Sequence, residues 1–186
     1  MDMSVICALG ANLSSEQGDP VDAVSKALCE LANKGFSLIS VSRFWRTPAY
    51  PSGSGPDYVN ACCKLQTSTD PKATLDAFHD IEAQNGRVRE TRWAARTLDL
   101  DLIAYGDAVL PDLHGFMQWR DLPLGQQQSA APTELILPHP RLQDRAFVLI
   151  PLAEIAPLWC HPVSGLTVAQ MLAALPEAQK AAIHPV

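Results

Sequence analysis

No segment of this 186-residue chain is apolar for long enough to cross a bilayer. Its opening, MDMSVICALG, has neither the basic start nor the apolar run of a signal peptide, so a cytoplasmic protein with no membrane partner is expected. Basic residues are few: 14 Lys and Arg against 20 Asp and Glu leave a formal net charge of -6, which argues against nucleic acid as a ligand. The five cysteines, Cys7, Cys29, Cys62, Cys63 and Cys160, offer neither a C-x-x-C pair nor the spacing of a disulfide framework, and a reducing compartment is the simplest setting. Glycine is sparse where phosphate would want it. There is no G-x-x-x-x-G-K-[ST] loop, so a P-loop kinase is not expected, and arginines would have to bind any phosphate.

What the chain does have is one domain's worth of residues, 47% of them hydrophobic, and we expect 1–186 to form a single domain. Met3 to Leu9 reads as a buried strand ending at Gly10. Asp19-Pro20 is a cap and first turn, and Val21, Val24, Leu28 and Leu31 then recur at helical spacing until Gly35. Phe36 to Trp45 is β-prone and breaks at Thr47-Pro48 into a loop rich in Pro, Ser and Gly. Tyr58 to Thr67 reads as a strand, Asp70-Pro71 opens a helix with Leu75, Phe78 and Ile81 inward, and Leu98 to Ala104 alternates with Asp99, Asp101 and Ile103. The order is that of a ferredoxin-like βαββαβ unit, giving an α+β fold with a mainly antiparallel sheet, helices on its faces and C-terminal helical additions. The stretch at about 111–133, with its prolines and three consecutive glutamines, suits an exposed inserted loop, tolerated and mobile. Phe147 to Ile155 and Thr167 to Leu175 read as short closing helices, with the last residues free to fray.

Residues two apart on a strand share a face, so Asp99 and Asp101 aim both carboxylates one way while Leu98, Leu100 and Leu102 point into the core. Alone, such a pair favours a solvated edge strand. Its neighbourhood changes the balance: Arg87, Arg89, Arg92 and Arg96 place four of the nine arginines immediately before the acidic strand. Hard oxygen ligands suit Mg²⁺, guanidinium forks suit phosphate, and phosphoryl transfer needs positioned cations around an in-line displacement. A magnesium-nucleotide site follows.

With these features the chain resembles the 6-hydroxymethyl-7,8-dihydropterin pyrophosphokinases of folate biosynthesis. The resemblance runs through Ala8-Leu9-Gly10-Ala11-Asn12-Leu13, Arg46-Thr47-Pro48, Pro56-Asp57-Tyr58-Val59-Asn60, Ile81-Glu82, Gly86-Arg87-Val88-Arg89 and the R-W-x-x-R-T-L-D-L-D-L run that begins at Arg92. It continues in Leu137 to Leu142, Arg145 to Leu149 and Pro151 to Pro157. The resemblance implies Mg²⁺-dependent transfer of diphosphate from ATP to the pterin hydroxymethyl group with release of AMP. It implies that Asp99 and Asp101 hold two Mg²⁺ ions, and that Arg87, Arg89, Trp93 and Arg96 are catalytic. Thr47, Pro48, Tyr58, Asn60, Trp93 and Phe147 would bind the pterin, Tyr58 and Phe147 by stacking. Glu82, Arg87, Arg89, Arg96, Leu102, His139 and Arg145 would bind the nucleotide. Small-molecule substrates are the only partners implied, and a monomer is expected with a dimer left open.

Several positions depart from the family pattern. Ala94-Ala95 stands where Gly-Pro is usual, His79 where a glutamine is common, Ala11 for a serine, and Glu134 and Ile136 where some members have Arg and Thr. Loops around Gly53 and from Arg87 to Arg92 are expected to close over the substrates. A metal-dependent nucleotidyltransferase or phosphodiesterase on the same D-x-D remains an alternative, as does a ligand sensor without catalysis.

Overall fold

Small and apolar residues from Met3 to Ala11 form strand β1, buried over its last seven residues, which already marks it as central rather than edge. In the computed structural model, residues 2–14, 18–49, 55–86, 97–123, 125–126 and 132–186 are described. Helix α1 (Pro20–Asn33) starts where Asp19 accepts from Val21 N and Asp22 N, and Asp22 in turn accepts from Asp19 N at 3.1 Å. This reciprocal cap satisfies orphan donors of the first turn. Val24, Ala27 and Leu31 are its buried stripe. Helix α2 (Pro71–Gln84) opens in the same way, with Asp70 accepting from Ala73 N at 2.9 Å, and buries Phe78 and Ile81. The Phe78 ring meets Phe36 at 5.7 Å.

The strand expected from Phe36 to Trp45 is divided. It runs as β2 (Ser37–Val41) and β3 (Trp45–Thr47), which occupy successive lengths of the same side of β4 (Tyr58–Thr67). Strand β5 (Asp99–Tyr105) lies on the far side of β1, so the order across the sheet is β5-β1-β4 followed by β2 and β3. Every pairing among the described strands is antiparallel. This is the ferredoxin-like arrangement, and α1 and α2 cover one face.

The opposite face is covered by α4 (Ala146–Ile155) and α5 (Val168–Ala174), the expected closing helices, which follow a 3-10 turn at Leu142–Asp144. Ile6, Ala8, Cys62 and Ile103 from the sheet pack there with Val148, Leu149, Leu152 and Met171. Cys62 and Cys63 therefore serve different layers, as strand alternation requires.

Three further features differ from the sequence reading. Strand β5 carries a bulge: Leu102 pairs with Cys7 and Ala104 with Ile6, leaving Ile103 without a partner on β1. Ala104 thereby moves to the face of Ile103, and Tyr105 turns to the α1–α2 side, where its hydroxyl donates to the Thr69 carbonyl. The excursion at 111–133 is not simply a loop, because Leu113–Asp121 forms helix α3, capped by Asp112 accepting from Gly115 N at 2.8 Å. Phe116 in α3 is fully buried and meets the His161 ring at 5.7 Å, so the insertion is docked by an anchor that composition concealed. The chain end does not fray either. After α6 (Glu177–Lys180), β6 (His184–Pro185) pairs with β3, and Val186 N donates to Phe44 O at 2.9 Å.

Candidate active site

The register of the sheet lines up four residues from four strands on one face: Asp99 opposite Gly10, Gly10 opposite Asn60, and Asn60 opposite Trp45. The next row on that face is Asp101, Ala8 and Cys62. Asp99 and Asp101 thus lie half-buried on the α4 side, while Leu98, Leu100 and Leu102 are buried on the α1–α2 side. Helix α4 sits over the second row, with the Cys62 thiol reaching the Val148 carbonyl at 3.5 Å. Burial pushes the Cys7 and Cys62 thiols up, Cys63 and Asp101 adding to it, so these are packing groups and not nucleophiles.

At the start of α4, Arg145 donates from Nη1 to Asp101 Oδ2 at 3.2 Å, and its guanidinium lies 5.6 Å from the centre of the Phe147 ring. Both side chains of the ion pair are about one-third exposed or less, leaving the cation reachable by a ligand. Phe147 is 38% exposed, unusual for a large aromatic, so part of its ring is open to a ligand. Across the sheet, Asn60 is 7% exposed and donates from Nδ2 to Thr47 Oγ1 at 2.7 Å, which orients the amide. A Cβ at Gly10 would come within 2.7 Å of Asn60 Oδ1, so glycine is what lets that amide lie against β1. Tyr58 is half-buried opposite Thr47, and Pro48 is exposed just beyond it.

The other predicted residues divide by role in the architecture. Glu82 on α2 is 2% exposed and accepts the Leu100 N–H at 2.8 Å, holding the strand between the two aspartates. Leu102 is set in the core with its side chain away from the acidic face. His139 is tied to β5 by its own N–H donating to Ile103 O at 2.8 Å, and its Nδ1 accepts from Arg141 N at 3.0 Å. Burial, then the Arg145 charge, pushes the His139 imidazole well below its ordinary value, against a smaller upward pull from Asp99. The ring is a neutral acceptor and donor beside the acidic pair. Arg87, Arg89, Trp93 and Arg96 lie outside the described residues, as do Arg92, Ala94, Ala95 and Gly53. Phe116 of the 111–133 excursion is in the core and not at the site. The structure also points to residues that the sequence reading gave no role: Gly10, Asn12, whose Nδ2 donates to Pro56 O at 3.2 Å, and Glu154. All three stand inside the motifs quoted for the resemblance, which was their only signal.

The family described as 7,8-dihydro-6-hydroxymethylpterin-pyrophosphokinase (HPPK) matches residues 6–157. The chain belongs to this family. Among its HPPK relatives, the Synechocystis 2-amino-4-hydroxy-6-hydroxymethyldihydropteridine pyrophosphokinase is 37% identical over 168 residues, 90% of this chain and 73% of that protein. The Pseudomonas aeruginosa enzyme of the same name is 35% identical over 176 residues, covering 95% and 94%. Wild-type Plasmodium falciparum HPPK-DHPS superposes with a TM-score of 0.61 at 14% identity over 93% of this chain, and at that identity the likeness concerns the fold alone. This chain spans 44% of the Plasmodium chain's length. The HPPK match ends at Pro157, before α5, α6 and β6.

Proposed function

We propose that this chain transfers the diphosphate group of ATP to the hydroxymethyl oxygen of 6-hydroxymethyl-7,8-dihydropterin, releasing AMP, as a cytoplasmic step of folate biosynthesis carried out by a monomer. The observation that carries this reading is the sharing of one sheet face by the Asp99–Asp101 pair and the Thr47–Asn60 pair. The rows Asp99, Gly10 and Asn60 span two strand spacings, about 10 Å, which leaves room for a diphosphate between a metal-bound nucleotide and a ring held at Asn60. Membership of the HPPK family and the names of the relatives support the same reaction.

The donor set fits magnesium: two half-buried carboxylates on one strand face, oxygen ligands that keep about one-third exposure at Asp101. Asp99 and Asp101 would hold two Mg²⁺ ions, which would supply positive charge to neutralise the phosphate oxygens. Arg145 adds positive charge beside them. Asn60 and Thr47 read the ring edge of the pterin, Pro48 borders it, and Tyr58 and Phe147 stack on its faces. His139, Glu82 and the backbone at Leu102 border the nucleotide. Arg87, Arg89 and Arg96 bind the triphosphate, and Trp93 closes over the pterin. The hydroxymethyl oxygen attacks the β-phosphorus in line while the AMP oxygen leaves, and the protein's task is positioning and charge rather than covalent chemistry.

The test is AMP formation from ATP, dependent on both 6-hydroxymethyl-7,8-dihydropterin and Mg²⁺. Asp99→Ala and Asp101→Ala should abolish it while leaving the far-ultraviolet circular dichroism unchanged. Retained turnover in either purified variant would overturn the metal assignment, and ATP cleavage indifferent to pterin would point to nucleotidyl transfer or hydrolysis instead.

A further inference from the structure

Glu154 stands at the other end of α4 from Phe147, yet the two are seven residues apart, close to two full turns, and so project from nearly the same side of the helix. From that side Glu154 reaches β3. Its Oε1 accepts from Arg43 Nε at 2.6 Å and lies 2.5 Å from Arg43 Nη2, while its Oε2 accepts the Arg43 backbone N–H at 2.8 Å. The Arg43 guanidinium in turn lies over the Trp45 ring at 4.9 Å. Burial alone would raise the Glu154 carboxyl, but the Arg43 side chain and backbone, with a smaller part from the nearby Trp45 indole, hold it below its usual value. One carboxylate therefore joins the helix that bears Phe147 to the backbone and side chain just before the strand that bears Thr47. Trp45 is the β3 residue registered against Asn60, so the tether ends on the row that contains the amide.

We infer that Glu154 is a positioning residue that, through Arg43, sets the separation between Phe147 on α4 and the Thr47–Asn60 wall, and hence the width of the slot for a flat heterocycle. The inference rests on the pyrophosphokinase reading above. A merely stabilising ion pair is a poor account of the geometry, because Glu154 is 23% exposed but its cation Arg43 is 64% exposed, and a pair so open to solvent at one end contributes little to folding. What a chelating contact to both backbone and guanidinium does supply is a fixed distance between two elements. Arg145 begins the same helix, but its Nη1 is held at that end by Asp101 at 3.2 Å, nine residues from Glu154, so loosening the far end of α4 acts on the slot width while the Arg145–Asp101 pair holds the nucleotide side.

Steady-state AMP formation with Glu154→Gln, Glu154→Ala and Arg43→Ala tests this. The KM for 6-hydroxymethyl-7,8-dihydropterin should rise about tenfold in Glu154→Ala and Arg43→Ala and less in Glu154→Gln, which keeps an acceptor for the Arg43 N–H. The KM for ATP and kcat should stay within about twofold. Because Glu154 and Arg43 act as one joint, the double variant Arg43→Ala with Glu154→Ala should be no worse than Glu154→Ala. An unchanged pterin KM in folded, active variants would overturn the tether while leaving the reaction intact. Equal losses for both substrates, tracking a fall in melting temperature, would also overturn it. Wild-type protein that forms no AMP would remove the pyrophosphokinase reading and the tether with it.

Discussion

Replacing Gly10 by alanine separates space from conformation at the centre of the site. Gly10 has no positive φ, so alanine can adopt its backbone without strain. Strand glycines are weaker than alanine by about 0.5–1 kcal/mol, and with open space the change would stabilise the fold by that amount. Space is not open: the new Cβ would sit 2.7 Å from Asn60 Oδ1, closer than carbon and oxygen tolerate. The β1 backbone is paired on both sides, with Asp99 and with Asn60, so the side chain must yield. Rotating the Asn60 amide breaks its 2.7 Å bond to Thr47 and leaves buried polar groups unsatisfied, at about 1–3 kcal/mol. The net expectation is a loss of about 0–2 kcal/mol in stability and roughly a tenfold or greater rise in pterin dissociation constant, since about 1.4 kcal/mol is tenfold. Urea unfolding and calorimetric titration with pterin, each beside a titration with magnesium ATP, measure both. A Gly10→Ala protein that is more stable and binds pterin as tightly as wild type would refute the steric argument.

Three further outcomes follow from the packing. Phe116→Ala removes a fully buried ring from α3 and should cost about 3–5 kcal/mol in chemical denaturation, where a loosely attached insertion would lose under 1 kcal/mol. Glu82→Ala leaves the buried Leu100 N–H without its acceptor and should cost about 1–3 kcal/mol, and Glu82→Gln should recover most of it by keeping an oxygen there; equal losses would mean that the bond is incidental. His161 accepts from Val163 N at 3.1 Å and Ser164 N at 3.3 Å, and burial, opposed by its own backbone bonds and helped by Arg120, holds its imidazole below the ordinary 6.5. Its neutral form favours the folded state, so the stabilisation is complete above pH about 6.5 and is lost as pH falls toward the depressed value, by about 1.4 kcal/mol per unit of depression. Melting temperature should drop on acidification, and less steeply in His161→Asn; identical slopes would clear His161.

Periodicity and capping chemistry exposed the framework from the sequence. Asp19-Pro20 and Asp70-Pro71 both mark helix starts, and the alternation at Asp99 and Asp101 places the acids on the face away from Leu98, Leu100 and Leu102. Three things were not legible, each for a physical reason. The Ile103 bulge depends on how β5 is matched to β1, which no local pattern encodes. Helix α3 is short and only weakly amphipathic, its single fully buried side chain having a partner 45 residues away in His161. Glu154 looks like a solvated helix acid until β3 is seen beside it. The site was readable mainly as a family resemblance, since nothing in the spacing of Thr47, Asn60 and Phe147 brings them to one face without the sheet. Arg87, Arg89, Trp93 and Arg96 lie outside the described residues, so their assignment still rests on sequence.

Ile103 gives the sheet a degree of freedom that regular pairing would deny it. Were it excised, Leu102 and Ala104 would become neighbours with their present partners Cys7 and Ile6, and each remaining side chain of β5 would keep its face. What would vanish is the carbonyl that receives the His139 N–H. The residue is dispensable to the ladder, yet with the Leu110–Leu137 pair it supplies the backbone bonds that moor the turn beyond it. Ile103 is also a fully buried member of the α4-side core, so excising this one codon would keep the register of β5 while opening a cavity under α4 and releasing His139 from the sheet.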